Sequence, residues 1–69
     1  MRISARNTLT GTIKHTEVGA VNSEVTLELA SGVTVVSIIT KHSTESLGPK
    51  VGGPAYAVIK ASDVMIAID

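Results

Sequence analysis

The strict alternation that begins at Val25, Val25-Thr26-Leu27-Glu28-Leu29, constrains the fold more than any other stretch. Successive side chains of a strand point to opposite faces, so Val25, Leu27 and Leu29 share one face, with Thr26 and Glu28 on the other. A helix would scatter the same residues around its axis. Ala30-Ser31-Gly32 supplies a turn, and residues 33–39, rich in β-branched side chains, read as the returning arm of a hairpin. Because that arm carries apolar residues side by side, both of its faces are expected to be partly buried.

The remaining elements fall around this hairpin. Residues 9–18 read as a long first strand ending at Gly19, with Gly11 expected to mark a bend or bulge. Residues 55–59 and 64–68 read as two further strands joined through Lys60-Ala61-Ser62-Asp63. The one helical candidate lies between strands three and four. Thr40 can cap its N-terminus, Lys41 to Leu47 can form a turn or two, Gly48 can sit just past its end, and Pro49 stops it. Three strands, a short helix and two strands predict an all-β fold, a small five-stranded Greek-key barrel of the OB type with one short helix. A two-sheet sandwich is the competing shape. With 69 residues and no repeat or linker composition, residues 1–69 are expected to form one domain.

Composition shows how such a chain must be stabilised. A domain of this size buries only about 60% of the surface its unfolded chain exposes. There is no cysteine to staple it, and Tyr56 is the single aromatic residue. Hydrophobic residues nevertheless make up 43% of the chain and charged ones 17%. That is more apolar material than a small monomer can bury, so the excess is expected to cover a subunit interface. Six Lys and Arg balance six Asp and Glu. Zero net charge with one aromatic provides neither the basic footprint nor the stacking platform of a nucleic-acid binder, and no such partner is expected. No apolar run approaches the roughly 20 residues that span a bilayer, so no membrane partner is expected either. The opening Met1-Arg2-Ile3-Ser4 turns polar at once, without the apolar stretch of a secretory signal, and a cytoplasmic location is the expectation.

The chemistry-bearing residues do not assemble into an enzyme. There is no cysteine nucleophile, no metal-ligand spacing between His15 and His42, and neither phosphate-loop glycine pattern. What remains are cations and hydroxyls at strand ends and turns. Ser4 and Arg6 are two apart, so an extended segment projects both from one side, a hydroxyl beside a guanidinium fork. Lys60 and Ser62 repeat the arrangement with an ammonium. Thr40 and Ser43 place two hydroxyls at the start of the short helix, where backbone N–H groups are free. Each group could hold a small anion, yet the plainer reading of each is an ordinary solvated charge or helix cap. Spacing alone leaves both readings open.

A resemblance adds to this reading. MRISARNTLTGTI at the start, VGAVNSEVTLEL after it, ITKHSTESLG in the middle and AVIKASDVMIA at the end resemble the molbindin family, small molybdate-binding proteins built on the TOBE fold. The similarity covers nearly the whole chain, and the SARN and KAS segments are its most specific parts. It implies an OB-type barrel assembled as a homo-hexamer, a trimer of dimers, that binds molybdate or tungstate at subunit interfaces. Carried over residue by residue, the anion pocket takes Ser4, Ala5 and Arg6 from the first segment and Lys60, Ala61 and Ser62 from the last. Thr40 and Ser43 come from a neighbouring subunit. The implied role is intracellular molybdenum storage and homeostasis, with no catalysis, no cofactor and no directly ligated metal. A regulatory or interaction module is the alternative, because the same fold serves as an anion-sensing appendage in larger proteins.

Overall fold

The computed structural model describes all 69 residues. Four strands, β1 (Asn7–Val18), β2 (Asn22–Leu29), β3 (Thr34–Thr40) and β4 (Pro54–Ile59), form one antiparallel sheet in the order β3-β2-β1-β4. The first three strands are joined by hairpins, and the fourth returns by a longer connection to lie beside the first, which is the Greek-key arrangement. Helix α1 (Lys41–Leu47) sits in that connection, and a 3₁₀ turn (Ala61–Asp63) follows β4. The single curled sheet excludes the sandwich alternative.

Local chemistry explains the joints. In the β2–β3 hairpin, Gly32 takes a φ of +87° and its N–H donates to the Leu29 carbonyl at 2.9 Å. The Thr40 side chain accepts the Ser43 N–H at 3.0 Å, and at the far end Gly48 (φ +61°) donates its N–H to the Thr44 carbonyl at 2.9 Å. The Lys41 N–H reaches back to the Val21 carbonyl at 2.8 Å, tying the helix start to the β1–β2 turn. Removing the cap in Thr40→Ala is expected to cost about 1 kcal/mol, to be read as an earlier urea midpoint; Thr40→Ser is expected to restore most of it.

Two expectations about the strands are corrected. The irregularity in β1 lies between Ile13 and His15, with Lys14 as the extra residue, and not at Gly11. Gly11 instead marks a close approach: a Cβ there would lie 2.6 Å from the Glu28 carbonyl oxygen and 2.8 Å from Leu27 Cγ. β1 keeps β2 as its partner on both sides of the bulge, while on its other edge the β4 pairing gives way there to the preceding loop, where the Ile13 N–H donates to the Gly53 carbonyl at 2.9 Å and its own carbonyl accepts from Gly52 at 2.8 Å. The second correction concerns β3, whose outward residues Val36 and Ile38 are exposed, so only its inner face, with Val35 and Ile39, is half-buried.

The core is thin. Ile13 and Leu27, opposite each other in the β1–β2 register, are the two buried hydrophobic residues, and Ser23, near the start of β2 and paired with Val18, is buried with no partner for its hydroxyl. The inner faces of the four strands line an open apolar trough of about 660 Å³. It lies between β3 and β4, whose outer edges pair with nothing.

The expected fifth strand is not formed within the chain. Residues 64–68 follow the 3₁₀ turn without pairing to any strand, and every residue from 61 to 69 is exposed. The barrel is therefore four-stranded and open in one chain. Alternating apolar sequence defines a strand's faces, but pairing needs a free edge within reach, and the turn leads this segment away from its own sheet.

Candidate functional site

Antiparallel pairing of β1 with β4 puts Asn7 opposite Ile59, and Asn7 Nδ2 donates to the Ile59 carbonyl at 3.3 Å. The start of β1 and the end of β4 thus meet at one end of the sheet. Residues 4–6, just before β1, and residues 60–62, just after β4, leave that end together, although more than fifty positions separate them in sequence. Ser4 and Arg6 are exposed and Ala5 between them is half-buried, which is the alternation their spacing predicts. Lys60 is extended (φ −64°, ψ 135°) and leads into the 3₁₀ turn, closed by the Asp63 N–H on the Lys60 carbonyl at 2.8 Å.

What gathers there is mainly donors. Arg6 offers a guanidinium, Lys60 an ammonium, and Ser4 and Ser62 hydroxyls. The backbone N–H groups of Ala5, Arg6, Ala61 and Ser62 donate to no protein acceptor. Neither cation is held in an ion pair; the two pairs present, Lys14 with Glu28 at 3.8 Å and His15 with Glu17 at 3.9 Å, are on exposed surface elsewhere. Neither segment contains a carboxylate, and Asp63 directly follows the second. Two cations, two hydroxyls and four open amides can bond a tetrahedral oxyanion from several directions, the hydroxyls and amides doing so without adding full charges. Asn7 was part of the motif read from sequence, but its task of tying the two segments together was not; the signal was a polar side chain at the strand's first position.

Thr40 and Ser43 lie elsewhere. Thr40 pairs with Asn22, beside the end of β1 where Val18 faces Ser23. The 12 residues of β1 separate this end from Asn7, about 36 Å of strand at roughly 3.3 Å per residue. One chain does not bring these hydroxyls to the Arg6–Lys60 cluster. Within the cap, the Thr40 hydroxyl donates to Ser43 Oγ at 2.9 Å, which leaves the Ser43 proton as the one free to reach outward.

Other chemistry has little to stand on. No three His, Cys, Asp or Glu side chains come close enough to hold a metal ion, and no helix is long and apolar enough to cross a membrane. The trough is lined largely by aliphatic side chains with Lys50 as its only charged residue, so it does not suit an oxyanion.

This architecture is shared. Residues 3–66 match the family model of the TOBE domain. Molybdenum-pterin-binding protein 3 of Clostridium pasteurianum is 52% identical over 66 residues, covering 96% of this chain and 97% of its own length. A molybdate-binding protein from Sporomusa ovata superimposes with a TM-score of 0.93 at 29% identity, covering 99% of this chain and all of that one. The cytoplasmic molybdate-binding protein ModG, in a form with molybdate bound, superimposes with a TM-score of 0.89 at 55% identity, covering 94% of this chain and 46% of that one. The fold is thus that of a TOBE domain, an OB-type curled sheet with one short helix. Within that class the chain belongs to the molbindin family.

Proposed function

We propose that this protein binds molybdate or tungstate as the free oxyanion and serves intracellular molybdenum storage and homeostasis in the cytoplasm, without catalysing a reaction. The observation that carries this reading is the convergence of Ser4, Ala5 and Arg6 with Lys60, Ala61 and Ser62 through the Asn7–Ile59 pair, in a family whose relatives are described as molybdate- or molybdenum-pterin-binding proteins. Thr40 and Ser43 of a neighbouring copy complete the pocket in a homo-hexamer arranged as a trimer of dimers. Closure between copies removes water from the anion, strengthens each hydrogen bond, and links anion binding to assembly by mass action. Residues 1–69 act as one binding domain.

Selection of molybdate over sulfate rests on size, since the two share charge and shape. An anion too small for the pocket leaves donors unpaired at a cost. A free oxyanion is favoured over a pterin because the only large hollow is aliphatic, with the lone aromatic Tyr56 at its margin, whereas a pterin ring needs polar partners along its edge. The test is calorimetric titration of anion-stripped protein with molybdate, with sulfate and phosphate as competitors. Saturable molybdate binding that excess sulfate and phosphate fail to displace supports the reading. Absence of binding, or equal competition by sulfate, overturns it.

A further inference from the structure

We propose that Asn7 is a positioning residue whose side chain sets the width of the oxyanion pocket and, through that width, its preference for molybdate over the smaller sulfate. The inference rests on the oxyanion reading above and deepens it, with Asn7 acting through Arg6 and Lys60.

The two halves of the pocket are held very differently. Lys60-Ala61-Ser62 is braced from within, since the Asp63 N–H donates to the Lys60 carbonyl at 2.8 Å and the Val64 N–H to the Ala61 carbonyl at 3.3 Å. Ser4-Ala5-Arg6 has no such support, because residues 1–6 take part in no hydrogen bond, backbone or side-chain. Where Arg6 stands relative to Lys60 is therefore decided by the last rung of the β1–β4 ladder, Asn7 opposite Ile59. Asn7 directly follows Arg6 and Ile59 directly precedes Lys60, so this rung lies one residue from each cation.

The end of a ladder opens at little cost, and here two like charges lie just beyond it. Neither is neutralised by an ion pair. The half-buried Asn7 side chain opposes that opening through its bond from Nδ2 to the Ile59 carbonyl at 3.3 Å. It is the one side-chain hydrogen bond that joins distant parts of the chain; the other three lie in the first turn of α1 around Thr40. A binding constellation must be held to within about 0.5 Å to discriminate by fit. A frame fixed at the size of the larger anion leaves donors unpaired around sulfate. Once the rung is free to move, the frame closes on sulfate and recovers those bonds, whereas molybdate gains no bond and must order a looser frame on binding.

Asn7→Ala is expected to bind molybdate about three- to tenfold more weakly, the effect of one hydrogen bond, with sulfate affinity no lower than in the wild type. The ratio of the two affinities then falls by at least that factor. Asn7→Asp matches asparagine in shape but, ionised, cannot donate to a carbonyl, so its ratio is expected to fall likewise, while its added charge weakens both dianions alike. Both are read by molybdate titration together with the sulfate concentration that displaces half of the bound molybdate. A purely structural role lowers both affinities in step, so an unchanged ratio in either variant overturns the proposal. A second measurement needs no anion. In anion-free full-length protein, amide relaxation is expected to give Arg6 and Lys60 order parameters near those of rigid backbone, about 0.85, in the wild type and below about 0.6 in Asn7→Ala, with the strands unchanged. Equal order in the two proteins, or mobility already present in the wild type, overturns the proposal. A wild type that does not bind molybdate counts against the oxyanion reading, whereas a wild type that binds it while these comparisons show no difference counts against the role of Asn7.

Discussion

Lys60→Ala is expected to bind molybdate at least tenfold more weakly while keeping its fold and its oligomeric mass. A hydrogen bond to a charged group contributes about 1.5 to 3 kcal/mol, which corresponds to roughly ten- to a hundred-and-fifty-fold in affinity. The fold is spared because Lys60 is exposed, makes no ion pair, and contributes only its backbone carbonyl to the 3₁₀ turn, a bond that alanine keeps. Arg6→Lys separates charge from geometry: it keeps the cation and loses the planar fork, so an intermediate loss is expected. Both are read by calorimetric titration, with circular dichroism as the check on folding. Wild-type affinity in Lys60→Ala would remove this end of the sheet from consideration as the binding site.

Gly11→Val is expected to abolish the folded state, and Gly11→Ala to lower the melting temperature by more than about 12 °C. A first side-chain atom at this position would press on the Glu28 carbonyl oxygen and on Leu27, whose side chain is one of the two in the core. Neither strand can yield, because Gly11 is paired on one side with Leu29 and on the other with Ala55. Overpacking of this kind costs up to about 3 kcal/mol or more. In a domain this small, each kcal/mol lost lowers the melting temperature by about 4 to 8 °C. Thermal unfolding followed by circular dichroism measures it. A Gly11→Ala protein that melts within a degree or two of the wild type would show that the coil of β1 has slack these distances do not allow.

Two glycines, Gly48 just past the helix and Gly11 in the interior strand β1, show what sequence can and cannot disclose. Gly48 was legible because helix ends have local chemistry: the Thr40 cap, the left-handed residue after the last turn and the proline beyond it all act within a few residues. Gly11 was legible as special but not in its role. Whether an extra residue falls at position 11 or 14 depends on how β1 is matched to β2 on one edge and to β4 with its preceding loop on the other, and that is a matter of register between distant segments. The hairpin of β2 and β3 was legible from period alone. The segment 64–68 has an equally clear period, yet it is unpaired in one chain, because alternation says which side chains share a face and nothing about whose edge lies beside it.

The site divides along the same line. The spacing within Ser4-Ala5-Arg6 foretold which groups project together, and the half-buried Ala5 between two exposed neighbours agrees with it, whereas Ala61 and Ser62 enter a 3₁₀ turn with all of Lys60-Ala61-Ser62 exposed, so the same-side spacing of an extended segment does not carry over to them. That the two triplets adjoin follows from the Asn7–Ile59 pair, which no local pattern encodes. Thr40 and Ser43 lie at the opposite end of β1, so their part in the same pocket requires a second chain.

The most direct test of the central claim, that an oxyanion is held between copies, is native mass spectrometry of the wild-type protein titrated with molybdate. The expected result is molybdate adducts confined to oligomeric ions, at a fixed number per oligomer, with none on monomers present in the same spray. Monomers carrying molybdate at the same occupancy per chain would contradict the shared pocket.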